Sequence, residues 1–291
     1  NRALAPIAQL TILDRQRGFV RGRSITDNIL ETESLAIRFV KYYAAKSGIV
    51  LFDFAAAFPS LAHCWIFQVL STMKLPELVI DTIRRLYDDC FIELLYGAEA
   101  HEPFCAKSGI KQGCPLSGTL FAMALDPFIR MLCLTIPKPL GMVTAFADDI
   151  AIVVYDLFKA IQALASVFAT FQEASCLEVN PKKIVVIPLW PEGLFTTRRW
   201  LAQDLPASAA FKVRLCGRFL GYIIGPDAAD SRWNLTLDKF WQRGMMARVA
   251  GGGFFGGLRH YHVFGASVLG YLLQLAVLPS QAFALERRIL Q

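Results

Sequence analysis

Three aspartates in this 291-residue chain, Asp53, Asp148 and Asp149, stand where a charge needs a reason. Asp53 lies in the apolar run Ile49 to Phe54, and the adjacent pair interrupts the apolar stretch Met142 to Val154. An uncompensated buried ion costs several kcal/mol. A hard divalent cation with oxygen ligands is an economical counter-charge, and Mg2+ commonly takes one or two carboxylates together with substrate phosphates. If the Asp53 strand lies beside the 148–149 hairpin, the three carboxylates can hold two ions ~3.5–4 Å apart and clamp the oxygens of an in-line phosphoryl displacement. The bland reading is that Asp favours turns, so Ala-Asp-Asp alone is more often a turn than a site, and Asp53 could equally cap a helix. Spacing alone leaves both readings open.

The elements that would have to position these groups are legible in outline. Ile49 to Phe54 reads as a buried strand, and Met142 to Val154 as two short strands hinged on Asp148-Asp149. Helices are expected after Pro59 (residues 60–75), over Leu78 to Cys90, after Pro115 and over 157–175, where Phe158, Ile161, Leu164, Ala165, Phe168 and Phe171 recur at helical spacing. Residues 91–107 read as a hairpin, and Ile184–Leu189 and Phe219–Ile224 as strands. Beyond Pro226 the pattern is helical, with Gly251 to Gly257 as a flexible interruption. Strand–helix alternation followed by a helical tail predicts an α+β body with a helical appendage.

Composition narrows the classes. Apolar residues make up 55% and charged residues 19%, which excludes a disordered chain or a coiled coil. Thirty basic against 24 acidic residues give +6, a balance that permits a nucleic-acid or phosphate partner. Seven cysteines, an odd number without a CxxC pair, read as reduced thiols of an intracellular protein. No signal segment is visible, and the opening residue is not Met, as expected of a fragment of something longer. The mean hydropathy of +0.42 directs attention to Tyr261–Leu285, a long stretch without Asp, Glu, Lys or Arg. Its His262, Gln274, Pro279 and Gln281 favour a buried helix followed by a break over a membrane span. Gly251-Gly-Gly253-Phe-Phe-Gly256 spells GxGxxG but follows a basic, Met-rich helical stretch, not a strand, so a dinucleotide site is not expected. Asn234-Leu-Thr236 spells a sequon without secretory context, and His260 and His262 lack a ligand set for zinc. Neither GxSxG nor a Walker P-loop occurs.

The words around the aspartates decide between the two readings. Gln16-Arg-Gly-Phe-Val-Arg-Gly-Arg-Ser24 with Thr26 to Leu30, Asp53-Phe-Ala-Ala-Ala-Phe58, Gly109-Ile-Lys-Gln-Gly-Cys-Pro-Leu-Ser117, Phe146-Ala-Asp-Asp149, the set Leu177, Asn180 and Lys183, and Phe219-Leu-Gly221 follow one another in order. In this the chain resembles the reverse transcriptase family, of the type found in non-LTR (LINE-like) retrotransposons. The resemblance covers nearly the whole chain. It implies a right-hand polymerase fold with fingers (1–48), an antiparallel-sheet palm (49–226) carrying an inserted fingers segment (76–108), and a helical thumb (227–291).

The resemblance also implies roles. Asp53, Asp148 and Asp149 would bind two Mg2+ ions, with Mn2+ as a substitute, and the Phe54 carbonyl would complete one shell. Phe58 would press against the sugar of an incoming dNTP and exclude a 2′-hydroxyl by a clash. Gln112 and Gly113 would lie beside the nascent base pair, Lys183 near the leaving pyrophosphate as proton donor or charge screen, and Phe219, Leu220 and Gly221 would grip the primer. Among Arg15, Arg17, Arg21 and Arg23, which otherwise read as a solvated face, Arg21 and Arg23 would contact triphosphate or template. Between Lys239 and Arg288, six basic residues against Glu286 suit a duplex-backbone grip. The implied activity is RNA-directed DNA polymerisation on an RNA template and DNA primer, with no membrane partner, in a nuclear or cytoplasmic ribonucleoprotein. The alternatives are a decayed relic that only binds nucleic acid, and a group II intron maturase or retron-type polymerase. Pro59, Cys176, Ile184 and Gly118 depart from the family's usual residues, and Pro59 bears on the backbone beside Phe58.

Overall fold

The computed structural model describes residues 4–42, 46–88, 90–97, 99–205, 208–249 and 251–290. Up to Arg214 the chain forms one compact unit. Its elements are α1 (Leu4–Thr11), α2 (Ile25–Tyr42), β1 (Gly48–Phe52), α3 (Ala57–Ser60), α4 (His63–Thr72), α5 (Glu77–Tyr87) and the short strands β2 (Phe91–Ile92), β3 (Leu95–Tyr96), β4 (Glu99–Ala100) and β5 (Phe104–Cys105). There follow α6 (Ser117–Thr135), β6 (Gly141–Phe146), β7 (Asp149–Val154), α7 (Leu157–Ser175), β8 (Val185–Pro188), α8 (Gly193–Asp204) and β9 (Lys212–Val213).

Five strands in the order β6-β7-β1-β8-β9 make the central sheet. All its pairings are antiparallel except the short β8–β9 contact. The face is chosen by alternation. Val50, Phe52, Ile150, Ile152 and Val154 join the main apolar core together with the α6 residues Leu120 to Leu125, Phe128 and Ile129 and the α7 residues Ile161, Leu164 and Phe171. Phe52 meets Phe168 with ring centres 5.0 Å apart, and Phe128 stacks on Phe171 at 4.4 Å. On the other face α2 packs against β6 and β7, where Thr32 and Thr144 join hydroxyls at 3.1 Å.

Several helices start and stop for identifiable reasons. Ser24 Oγ accepts the Thr26 N–H at the start of α2, and Asp156 accepts the Lys159 N–H at the start of α7. α7 ends on Cys176 in the left-handed region, φ 62°. The helix expected over 78–90 stops at Tyr87; Asp89 lies outside the described residues. Residues 91–105 form nested pairs, β2 with β5 and β3 with β4, in place of one regular hairpin. Among the described residues one helix, α6, is long and apolar enough to cross a bilayer by length and composition. It is a core helix here, and it carries Asp126, which is 1% exposed. Tyr261–Leu285, expected as a buried helix followed by a break, is instead a π-turn (Tyr261–Gly265) and two 3₁₀ turns that bury Tyr261, Gly265, Leu269 and Leu272, followed by a break before Ser280.

The second unit, from Leu215 on, contains β10 (Gly217–Phe219), β11 (Tyr222–Ile224), α9 (Ala228–Ser231), α10 (Asn234–Val249), α11 (Gly253–His260) and α12 (Ser280–Leu290). The unit boundary therefore precedes the β10–β11 hairpin, whereas the expected palm extended to residue 226. The hairpin has partners within its own unit: Tyr271 Oη donates to the Leu220 carbonyl at 2.5 Å, and Arg232 lies over the Tyr222 ring at 4.3 Å. The glycine-rich stretch is less of an interruption than expected, because α11 begins at Gly253 and packs back on α10.

Candidate active site

Phe52 and Phe54 both press on Phe128 of α6, at 6.3 and 5.6 Å between ring centres. Alternation therefore turns Asp53, between them, to the opposite face of the sheet. Phe52 pairs with Ile150, so extending the register by one residue sets Asp53 across from Asp149. Phe146 pairs with Asp149, leaving Ala147-Asp148 as a two-residue hairpin loop. Ala147 takes φ 55°, the positive value that such loops need at a central position.

Residues 178–183 close the other edge of Asp53. The Ala55 N–H donates to Glu178 O at 2.8 Å and the Asn180 N–H to Asp53 O at 3.1 Å, around a bridge between Phe54 and Val179. In that pattern the N–H and C=O of Phe54 face away from Val179, toward the side on which β7 runs. A turn closed by Lys183 N–H to Asn180 O, 3.0 Å, brings Lys183 back, and its Nζ lies 2.6 Å from Asp53 Oδ2.

These four side chains share one electrostatic environment. The Lys183 ammonium is pushed above the usual lysine range, first by its hydrogen bond to Asp53, then by the charge of Asp53, and further by Asp148 and Asp149. Burial is the main cause that pushes the Asp148 carboxyl above the usual carboxylate range; the negative charge of Asp53 adds to it, while a backbone hydrogen bond and Lys183 oppose it. Lys183 is about half-exposed, so its pair with Asp53 contributes at most about 1 kcal/mol to stability. Among the described residues no group of three or more His, Cys, Asp or Glu side chains is gathered closely enough to hold a metal ion. The donor chemistry nevertheless fits a hard divalent ion: Asp53 already attracts a cation, Asp148 is a carboxylate held partly out of water, and the Phe54 carbonyl faces the same side.

Phe58 follows in α3. Its ring stacks on Phe121 at 4.6 Å and 10°, and meets the Phe19 edge at 6.0 Å. Pro59 leaves this geometry intact, because it occupies the first helical turn, where an N–H has no intrahelical acceptor. The Phe58 carbonyl still accepts from Ile110 N–H at 2.7 Å. Gly118 has a reason as well: a Cβ there would lie 2.5 Å from the Phe19 ring. Gln112 and Gly113 form the exposed tip of a turn from Lys111 to Cys114, with Gly113 at φ 83°.

The arginine run divides. Arg15 and Arg17 both bind Glu31 of α2, at 3.0 and 2.6 Å. Arg23 is turned onto its own chain: its guanidinium donates to the carbonyls of Leu13 (2.7 Å), Gln16 (2.5 Å) and Ile12 (2.8 Å). Of the two nucleotide-binding candidates, Arg23 is thus committed to shaping the 9–16 segment, while Arg21 is exposed and has no ion pair or hydrogen bond among the described residues. Phe219, Leu220 and Gly221 lie in the second unit, where Leu220-Gly221, both at positive φ, turn between Phe219 and Tyr222. The residues without a prior role are Gln16, whose side chain bonds Ala147, and Asp126, which holds Leu13 and Arg130. A lone acid in an apolar helix was the available signal for Asp126; Gln16 carried none beyond its place in the motif.

Residues 1–224 match the family described as reverse transcriptase (RNA-dependent DNA polymerase). Among curated proteins, the chain is 28% identical over 179 residues to the "Transposon TX1 uncharacterized 149 kDa protein" of Xenopus laevis, covering 56% of this chain and 13% of that protein. It is 30% identical over 142 residues to the "Retrovirus-related Pol polyprotein from type-2 retrotransposable element R2DM" of Drosophila melanogaster, covering 47% and 13%. With the corresponding type-1 element R2 polyprotein of Nasonia vitripennis it shares 28% over 200 residues, 64% and 18% of the two chains. The chain thus spans less than a fifth of the length of these relatives. Among solved structures, apo telomerase from Candida tropicalis aligns with a TM-score of 0.56 at 10% identity, over 99% of this chain and 53% of that one. Telomerase from Candida albicans, in complex with a telomeric RNA fragment, aligns with a TM-score of 0.53 at 11% identity, over 96% and 49%. These likenesses bear out the right-hand polymerase fold, and the family match over most of the sequence establishes that this chain belongs to the reverse transcriptase family.

Proposed function

We propose that this chain carries the polymerising centre of a non-LTR retrotransposon reverse transcriptase, which extends a DNA primer on an RNA template. The observation that carries the reading is the convergence of Asp53, Asp148, Asp149 and Lys183 at one end of β1, β6 and β7. In the reaction a primer 3′-hydroxyl attacks the α-phosphate of a dNTP and pyrophosphate departs. Two Mg2+ ions, or Mn2+, held by the three aspartates and the Phe54 carbonyl, would supply charge stabilisation of the phosphoryl oxygens and a more acidic primer hydroxyl.

The chain's own residues do the rest. Lys183, paired with Asp53 in the metal-free site, would be released when an ion takes that carboxylate and could then donate to or screen the leaving pyrophosphate. Phe58, clamped by Phe121 and Phe19, cannot swing aside to admit a 2′-hydroxyl. Gln112 and Gly113 offer an exposed turn to the nascent pair, and Arg21 is the cation left over for triphosphate or template phosphate. In this reading residues 1–48 and the inserted segment 76–108 act as fingers, 49–226 as palm with Phe219 to Gly221 as primer grip, and 227–291 as thumb.

The test is extension of an oligo-dT primer on poly(rA), with and without Mg2+. Activity should need the ion and vanish in Asp53→Ala and Asp148→Ala, with far-ultraviolet circular dichroism preserved. Undiminished extension by either variant refutes the site.

A further inference from the structure

The loop bearing Asp148 is held by a side chain 131 positions away. Gln16 is fully buried, and its amide grips both backbone groups of Ala147: Nε2 donates to Ala147 O at 3.1 Å, and Oε1 accepts from Ala147 N–H at 2.9 Å. The same Oε1 accepts from Gly18 N–H at 2.8 Å. The flanking backbone completes the seam, with Arg17 N–H to Ala145 O at 2.8 Å and Ala145 N–H to Arg15 O at 2.9 Å. At Gly18 a Cβ would stand 2.1 Å from Ala147 N, so only glycine lets the two backbones meet.

What is gripped is the strained residue of the loop. An L residue at φ 55° is destabilised by its Cβ, and it persists only where its surroundings over-determine it. Ala147 is buried, so letting go of Gln16 would leave two backbone groups without partners and free the loop to relax. Asp148 is the next residue, and Asp149 the one after.

We propose that Gln16 is a positioning residue for the metal-binding carboxylates, fixing the direction of Asp148 by locking Ala147 in its left-handed conformation. This rests on the polymerase reading above and adds a residue to it. A misplacement on the order of 1 Å in a reacting constellation costs about 10²-fold. Gln16→Met conserves volume and removes all three bonds. In the 291-residue chain it should lower kcat for primer extension about 10²-fold, leave KM for dNTP within about threefold, and weaken Mn2+ binding followed by electron paramagnetic resonance without nucleic acid. Glycine adopts positive φ without strain, so Ala147→Gly added to Gln16→Met should recover about tenfold of kcat and part of the Mn2+ affinity. A residue that merely filled the core would show no such rescue.

If Gln16→Met does not fold, Gln16→Asn serves, because it stays neutral and keeps the amide but is one methylene too short to hold both backbone groups of Ala147. Its kcat should fall about tenfold and return to within about threefold of the parent on adding Ala147→Gly. Parental kcat and Mn2+ binding in a folded Gln16 variant, or a loss that Ala147→Gly leaves untouched, overturns the proposal. Extension that survives Asp148→Ala overturns the polymerase site itself, a distinguishable result.

Discussion

Asp126 offers the sharpest test of how the active-site frame is anchored. Its carboxylate is 1% exposed within α6, accepts the Leu13 N–H at 2.7 Å on one oxygen and Arg130 Nε at 2.6 Å on the other. Arg130 in turn donates to Thr11 O at 2.7 Å, so one acid ties the end of α1 and the segment leading to Gln16 onto the core helix. Asp126→Ala strands a backbone N–H, a loss of about 1–3 kcal/mol. It also removes a pair whose arginine is half-exposed, adding up to about 1 kcal/mol. About 3 kcal/mol in a unit of this size lowers Tm by roughly 6–12 °C. Asp126→Asn keeps an oxygen for Leu13 and loses the charge, so its deficit should be about 1 kcal/mol. Urea and thermal unfolding followed by circular dichroism read both. If Asp126→Ala unfolds within about 0.5 kcal/mol of the parent, or if Asn is as damaging as Ala, the anchoring argument is wrong.

Other perturbations separate catalytic from structural duties. Phe58→Ala should raise ribonucleotide incorporation relative to deoxynucleotide about tenfold, and an unaltered preference would remove Phe58 from substrate selection. Cys176→Gly relieves a left-handed residue at the end of α7, a gain of about 1–2 kcal/mol, offset by about 0.4–1 kcal/mol from the freer unfolded chain. A urea midpoint that rises accordingly supports this, and a fall contradicts it. Asp148, whose carboxyl is raised by burial and then by Asp53, contributes stability when protonated, present below the ordinary aspartate range and lost as pH rises through the raised value. At neutral pH its ionised form is therefore a cost to the metal-free fold. Metal-free Asp148→Asn should unfold at a higher temperature than the parent at pH 7, an advantage that shrinks on acidification; a pH-independent difference would contradict the assignment.

The sequence patterns were most informative where several local preferences agreed. The helix over 157–175 matched because apolar periodicity, the Asp156 cap and a left-handed terminus agree on its limits. The paired strands around Asp148-Asp149 were visible because a two-residue loop separates two apolar runs. What escaped was long-range. Four arginines in nine residues look alike in a string, yet Glu31 takes two and three carbonyls take Arg23. The helix expected over 60–75 shortens to α4, His63–Thr72, because Leu61 turns extended and Ala62 bridges Ser108. The tie between the β10–β11 hairpin and Tyr271 spans 51 residues, farther than any local pattern reaches.

The seam between residues 15–18 and the Ala147 loop also bears on synthesis. Its first half leaves the ribosome 131 residues ahead of its second, roughly ten seconds at ordinary translation speeds. During that interval the Gln16 amide and the edge formed by Arg15 and Arg17 have only water or a chaperone to bind. Docking them is a late, non-local event of the slow kind. The newborn polypeptide should therefore acquire its local helices before this seam, which closes no earlier than the equally distant pairing of β1 with β8.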